Sequence, residues 1–176
     1  YRYPFTEPEA ESDLQRSLLS EVCDMRDLLA DMGSPDMPLW ITELGWHTAE
    51  EAFAPGTNAE TQGAWLVRGA LLAFSQGVDR FYWYTFRDSG TSHEDQEERF
   101  GLYSFDDDPT SGPEAQAVSA NEFATLVTML GDHVRVTDRS ELLGLDESTW
   151  ALDLEGSEES VDSVTTVLWT TADPVT

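Results

Sequence analysis

Two short apolar runs govern what this chain can fold into. Leu39-Trp40-Ile41-Thr42, entered from Pro38, and Val78-Asp79-Arg80-Phe81-Tyr82-Trp83-Tyr84-Thr85-Phe86 are dense in β-branched and aromatic residues, the make-up of buried strands. Between them, Ala59 to Gln76 carries Trp65, Leu66, Ala70, Leu72, Ala73 and Phe74 at helical spacing, with Gly77 as the C-terminal stop. Strands that are apolar on both faces and joined through a helix belong to parallel sheets, because the crossover helix covers a face that a hairpin would leave wet. A further helix is predicted before the first strand. Thr6-Glu7-Pro8-Glu9 combines a Thr cap, an early proline and first-turn acids, and Leu14, Leu18, Val22, Met25 and Leu29 carry the pattern to about Met32, ended by Gly33-Ser34-Pro35. Pro113 to Leu130 is a third helix, closed by Gly131. The order helix, strand, helix, strand, helix predicts an α/β architecture.

After Val134 the pattern changes. Val134-Arg135-Val136, Trp150 to Leu154 and Val164 to Trp169 alternate or are β-branched, with turn-rich acidic segments between them. Residues 133–176 therefore read as a small antiparallel β module, too short for a core of its own, following a first domain over 1–132.

The charge narrows the partners. Nine basic residues, all Arg, face 35 acidic ones, for a net charge of -26. Such a field repels nucleic acid and anionic membranes, so neither is expected as a partner. Disorder would be another consequence of high charge, but 40% hydrophobic and 11% aromatic residues are enough to build a core. A dispersed acidic coat without Lys resembles proteins of salt-loving archaea. The expected setting is high salt, in the cytoplasm of a salt-accumulating cell or outside a cell, where a Debye length of about 3 Å at 1 M screens self-repulsion. Cys23 is the single cysteine, which rules out an intrachain disulfide and a cysteine metal site. It is expected as a small buried side chain in the helix Ser20 to Asp31. No run reaches the roughly 20 apolar residues of a membrane span. The chain opens at Tyr1 without Met, and we expect its beginning to lie elsewhere.

The first strand ends on Glu43, followed by Leu44-Gly45-Trp46-His47. A carboxylate at the tip of a buried strand loses hydration, which needs either a salt bridge to an Arg or a chemical role. Both readings are open on this stretch alone. Downstream, Arg87 to Arg99 is a long polar loop that includes His93, and Phe100 to Ser104 is a short extended piece.

Taken together, Thr42-Glu43-Leu44-Gly45-Trp46, Gly77 through Asp88, Arg99-Phe100-Gly101-Leu102-Tyr103 and the Pro-initiated helix resemble the last two strand–helix units of a (β/α)8-barrel glycoside hydrolase. The clan is that of retaining enzymes including families 5, 39 and 51, with family 39 nearest. Tyr1-Arg2-Tyr3-Pro4 resembles the segment after the sixth strand there, and the trailing β segments resemble the module that follows such barrels. The resemblance implies a fold class: the C-terminal portion of a TIM barrel, strands seven and eight with their helices, then an antiparallel β segment. It implies hydrolysis of β-linked glycans, with an oligosaccharide or polysaccharide as partner, no cofactor and no metal.

By the same resemblance Glu43 matches the catalytic nucleophile, at the functional C-terminal end of its strand. Trp83 matches the strand-eight aromatic under the reacting sugar. Asp79, at the opposite end, is expected to be structural. Arg87 or Tyr3 could keep the nucleophile ionised, Trp46 offers a second flat surface, His47 could bond a sugar hydroxyl, and Asp88 either reaches substrate or pairs with Arg87 or Arg99. Phe81, Trp83 and Thr85 alternate with Tyr82, Tyr84 and Phe86. We assign Trp83 to the barrel interior and Tyr82 and Tyr84 to packing against helices. His93 beside Glu94 and Asp95 is expected to be solvated.

A retaining enzyme also needs an acid/base carboxyl about 5–5.5 Å from the nucleophile. In this clan it is a Glu after Asn beyond strand four. Asn121-Glu122 lies inside the third helix and is read as coincidence. The expectation is a fragment lacking its acid/base and inactive alone, whose open sheet pairs with another copy or with its own missing N-terminal half. The alternatives are a non-catalytic carbohydrate-binding module or a structural module whose aromatics are all core.

Overall fold

The structure, a computed structural model, describes residues 6–11, 16–52, 56–105, 117–131, 133–156 and 164–171. The chain divides into two compact units, Tyr1–Leu126 and Val127–Thr176. Within the described residues the fold is mixed α/β.

In the first unit, helix α1 (Leu18–Asp31) starts at Ser17, whose hydroxyl accepts from Ser20 N at 3.1 Å. The helix expected from Thr6 thus begins later. Residues 6–11 form a turn instead, and Leu14 lies outside the described residues. The helix stops at Gly33, whose φ of 76° suits glycine, and Ser34 N bonds back to Leu29 O at 2.8 Å. Strand β1 (Trp40–Leu44) follows. Helix α2 (Ala59–Ser75) is capped by Asn58, which accepts from Thr61 N at 2.8 Å, and it ends at Gly77 with φ 77°. Strand β2 (Arg80–Trp83) pairs parallel with β1, Trp40 opposite Arg80 and Ile41 opposite Phe81. It is shorter than the run Val78–Phe86 suggested, because from Thr85 on the backbone pairs with residues 100–103.

One face of this pair carries the core. Leu18, Val22, Leu44, Trp46, Ala73 and Val78 are buried together, and Leu39, Ile41, Trp65, Phe81 and Trp83 pack on them. Phe81 meets Phe74 of α2 at 6.3 Å between rings. The other face is uncovered: Trp40 is 51% and Tyr82 46% exposed, their rings 6.5 Å apart, with Arg80 over Trp40 at 5.1 Å. This corrects the expected facing. Phe81 and Trp83 belong to the helix-covered side, and Tyr82 to the open one. Cys23 is also corrected: it is exposed, with its thiol 3.3 Å from Oε1 of Gln76, the residue that caps α2.

Beyond β2, residues 85–88 and 100–103 run side by side. Thr85 N donates to Phe100 O, Leu102 N to Thr85 O and Tyr103 N to Phe86 O, each at 3.2 Å. The loop between them contains a 3-10 turn, Gln96–Glu98. Helix α3 spans Ala117–Leu130.

In the second unit, β3 (His133–Asp138), β4 (Thr149–Gly156) and β5 (Val164–Thr170) form an antiparallel sheet in that order. Leu152 faces Val167, and Trp150 faces Trp169 with rings stacked at 6.1 Å. Arg139 bonds both Asp153 and Glu155, at 3.1 and 3.3 Å.

Candidate functional site

Glu43 is the fourth residue of β1 and is half-buried. Ile41 and Leu44 both pack into the same core, which strict alternation forbids for positions three apart. A register irregularity between them resolves the conflict and re-aims the intervening side chains. The strand end is held to its neighbour by Tyr84 N donating to Leu44 O at 2.9 Å. Gly45 follows because nothing larger fits: a Cβ there would lie 2.0 Å from the Tyr84 carbonyl oxygen. The charge of Glu43 also bears on the Tyr84 phenol.

Tyr84 is half-buried, its ring edge-on to Phe100 at 5.4 Å. Burial, then the charges of Glu97 and Glu43, then a hydrogen bond to the Glu97 carboxylate push its phenol above the ordinary value of 10.0. Glu97 was not singled out in the sequence, and Tyr84, expected there to pack against a helix, meets the Phe100 ring instead. The signal for Tyr84 was Gly45, a glycine directly after a strand-end carboxylate. Glu97 sits among so many loop acids that no local pattern marks it.

The other candidates separate clearly. Trp83 is half-buried, its Nε1 donating to Phe100 O at 3.3 Å and its ring 6.0 Å from Trp46. Trp46 is 1% exposed. Trp65 lies edge-on to it at 5.8 Å, and its Nε1 donates to Thr6 O at 2.8 Å, so within this chain it supports Trp83 from below instead of offering a face of its own. Gly69 makes room for it, since a Cβ there would sit 3.0 Å from the Trp46 ring.

His47 is also buried. Its Nδ1 accepts from Ala49 N at 3.3 Å, its ring stands edge-on to Phe100 at 5.4 Å, and burial lowers its pKa, favouring the neutral imidazole. Arg87 is half-buried with its guanidinium 5.8 Å from the Phe105 ring centre. Tyr3 lies outside the described residues.

Asp88 takes the pairing alternative. Its side chain is fully buried, Oδ2 is 3.2 Å from Arg99 Nη1, and Oδ1 accepts from Gly101 N at 2.6 Å. With both oxygens engaged, it fastens the Phe100–Tyr103 segment along the strand end. Asp79 is at the far end of β2, where Oδ2 accepts from Leu39 N at 2.7 Å and from Arg26 at 3.3 Å. His93 is exposed, and its carbonyl accepts from Glu51 N at 2.9 Å. Among the described residues no group of three or more His, Cys, Asp or Glu could hold a metal ion. No described helix is long and apolar enough to cross a membrane.

The site thus consists of a carboxylate at the C-terminal end of a parallel strand, a phenol beside it, a second carboxylate on that phenol, and an indole tethered to the same Phe100 segment. Such a group can present a nucleophilic or basic oxygen next to a flat aromatic surface.

No family model matches this chain, and no curated protein does. Among solved structures, a family 39 glycoside hydrolase from the gut symbiont Bacteroides cellulosilyticus WH2 is similar with a TM-score of 0.68 at 18% identity, over 95% of this chain and 32% of that one. A beta-glucosidase from Exiguobacterium marinum has a TM-score of 0.43 at 14% identity, over 70% of this chain and 29% of that one. The first of these shows a glycoside hydrolase-like fold. The present chain spans about a third of its length.

Proposed function

We propose that this chain is the C-terminal portion of a (β/α)8-barrel retaining glycoside hydrolase acting on β-linked glycans, with Glu43 as its nucleophile. One observation carries the reading: Glu43 stands next to last in a parallel strand, at its C-terminal end, in a chain with a glycoside hydrolase-like fold. In this reading β1 and β2 are the seventh and eighth barrel strands. The uncovered face at Trp40 and Tyr82 would be the one that the strands completing the barrel close over, and residues 133–176 form an accessory β module.

The carboxylate attacks the anomeric carbon, the leaving oxygen takes a proton from an acid supplied outside this chain, and the glycosyl ester is then hydrolysed by water. Trp83, backed by Trp46, would give the sugar ring its apolar platform, with Arg87 at the rim. Tyr3 is proposed near the nucleophile and His47 behind it. The partner would be an oligosaccharide or polysaccharide, and the net charge of -26 suits a high-salt setting.

The test is Glu43→Gln in the longer protein that contains this chain: turnover should be lost and sugar binding kept. Turnover surviving the change would overturn the proposal. A non-catalytic carbohydrate-binding or structural module is the second reading, favoured by the burial of Trp46 and His47 at 1% and 4% exposure. It predicts no loss of turnover and, for the structural case, no tryptophan fluorescence response to oligosaccharides.

A further inference from the structure

We propose that Arg68 is a positioning residue for the aromatic platform: it fastens residues 6–11 against α2, and that strap holds the Trp46 indole behind Trp83. The inference rests on the hydrolase reading for its functional meaning, since Trp83 is there the surface for the sugar. The contacts that carry it are independent of Glu43.

The Trp46 and Trp83 rings lie 6.0 Å apart with 30° between their planes. A buried indole is held where its N–H finds an acceptor. For Trp46 that acceptor is the Thr6 carbonyl, at 2.8 Å and 40 residues away in the sequence. The indole is therefore only as well fixed as the segment that carries Thr6. Pro8 of this segment is fully buried, and it meets α2 at the same point as Trp46: a Cβ on Gly69 would lie 3.0 Å from the indole and 3.7 Å from the Pro8 ring.

Next to Gly69, Arg68 grips the segment with three bonds. Its Nε donates to Glu9 Oε1 at 2.8 Å, its Nη2 donates to Glu7 Oε2 at 2.9 Å, and Nη2 also donates to Glu9 Oε2. The side chains of Glu9 and Arg68 are 7% and 15% exposed, so this ion pair is largely out of water. Without the guanidinium, two carboxylates that share one nitrogen would repel each other in a half-dry place, and the segment would move outward to hydrate them. A lysine keeps the charge but cannot span both oxygens of Glu9. Helix α2 thus holds Trp46 directly, through Gln62 Nε2 on its carbonyl at 2.8 Å and Trp65 edge-on to its ring, and indirectly through Arg68 and the strap. Support of this kind from behind is what a pre-organised binding surface needs.

The experiment measures hydrogen exchange at the indole N–H groups of the 15N-labelled chain at high salt. Trp46 is assigned by Trp46→Phe, or by replacing the other tryptophans in turn should that variant not fold. Arg68→Gln should speed exchange at the Trp46 indole by about tenfold, the loss of one hydrogen bond. It should leave unchanged the Asp79 amide, which bonds Leu39 O at 2.8 Å in the same unit. Arg68→Lys should fall between the parent and Arg68→Gln, and it takes the place of Arg68→Gln should the latter not fold. In the longer protein that contains this chain, KM for the para-nitrophenyl β-glycoside that the parent hydrolyses should rise several-fold with kcat kept. Unchanged exchange at Trp46, an equal rise at Asp79, or a loss of kcat with KM unchanged would overturn the proposal. Failure of the hydrolase reading appears separately, as turnover surviving in Glu43→Gln, and the indole measurement involves no substrate.

Discussion

Asp88→Ala should loosen the ground on which the candidate site stands. The carboxylate satisfies Gly101 N at 2.6 Å and lies 3.2 Å from Arg99 Nη1, with none of its own surface exposed. Orphaning the buried Gly101 N–H costs about 1–3 kcal/mol. Breaking a fully buried ion pair costs about 3–5 kcal/mol. The Arg99 side chain is 18% exposed and can recover some water, so the lower end applies. The two effects share one side chain and overlap, giving a total of about 3–4 kcal/mol, against a typical domain stability of about 5–15 kcal/mol.

Asp88→Asn keeps an oxygen for Gly101 but turns an NH2 donor toward Arg99 and leaves that charge uncompensated, so a loss of about 2–3 kcal/mol is expected. Urea unfolding followed by tryptophan fluorescence reads the change, because Trp83 Nε1 donates to Phe100 O on the released segment. Amide exchange at Gly101 localises it. A loss below about 1 kcal/mol in Asp88→Ala, with Gly101 exchange unchanged, would refute the claim that this carboxylate fastens the segment.

Two other perturbations have definite signs. Burial holds the His47 imidazole below its ordinary value of 6.5. Between the folded value and 6.5 the unfolded chain therefore binds a proton that the folded chain does not, so His47 contributes its full stability above 6.5 and loses it as pH falls through that window. The drop in Tm between about pH 7.5 and about pH 5.5 should be smaller in His47→Gln than in the parent, and equal drops would show that His47 is protonated alike in both states. With a net charge of -26, the chain should fold poorly in dilute buffer and recover its circular dichroism as salt approaches about 1 M; a full, stable spectrum in dilute buffer would count against a high-salt setting.

Much of the fold was legible because hydrophobic period and end signals agree. Gly33 and Gly77 closed their helices as read, and the three strands of the second unit lie where alternation placed them. What escaped were properties of pairs distant in sequence. Alternation says that Trp83 and Tyr82 face opposite ways but not which side the helices cover, and that was settled by Phe74 meeting Phe81. Cys23 was taken as buried from its residue type, whereas only Leu18 and Val22 on α1 reach the interior. Trp46 looked like a surface for ligand, yet Gly69 lets the helix close over it. For Asp88 the sequence left substrate and arginine as alternatives, and the choice depended on a loop folding back to bring Arg99 alongside.

Asp79 lies at the opposite end of the strand pair from Glu43, and its influence reaches the whole length of it. Its carboxylate takes the Leu39 N–H while its own N–H gives to Leu39 O at 2.8 Å, a two-way clasp that Arg26 reinforces from α1. The clasp sets which residue of one strand lies opposite which residue of the other. Slipping it by a single position would carry Leu44 out of line with Tyr84, and Gly45 would no longer meet the one carbonyl it was left bare to accommodate. An aspartate at the far end of the pair thus works as the zero mark of a ruler whose last graduation is the carboxylate of Glu43.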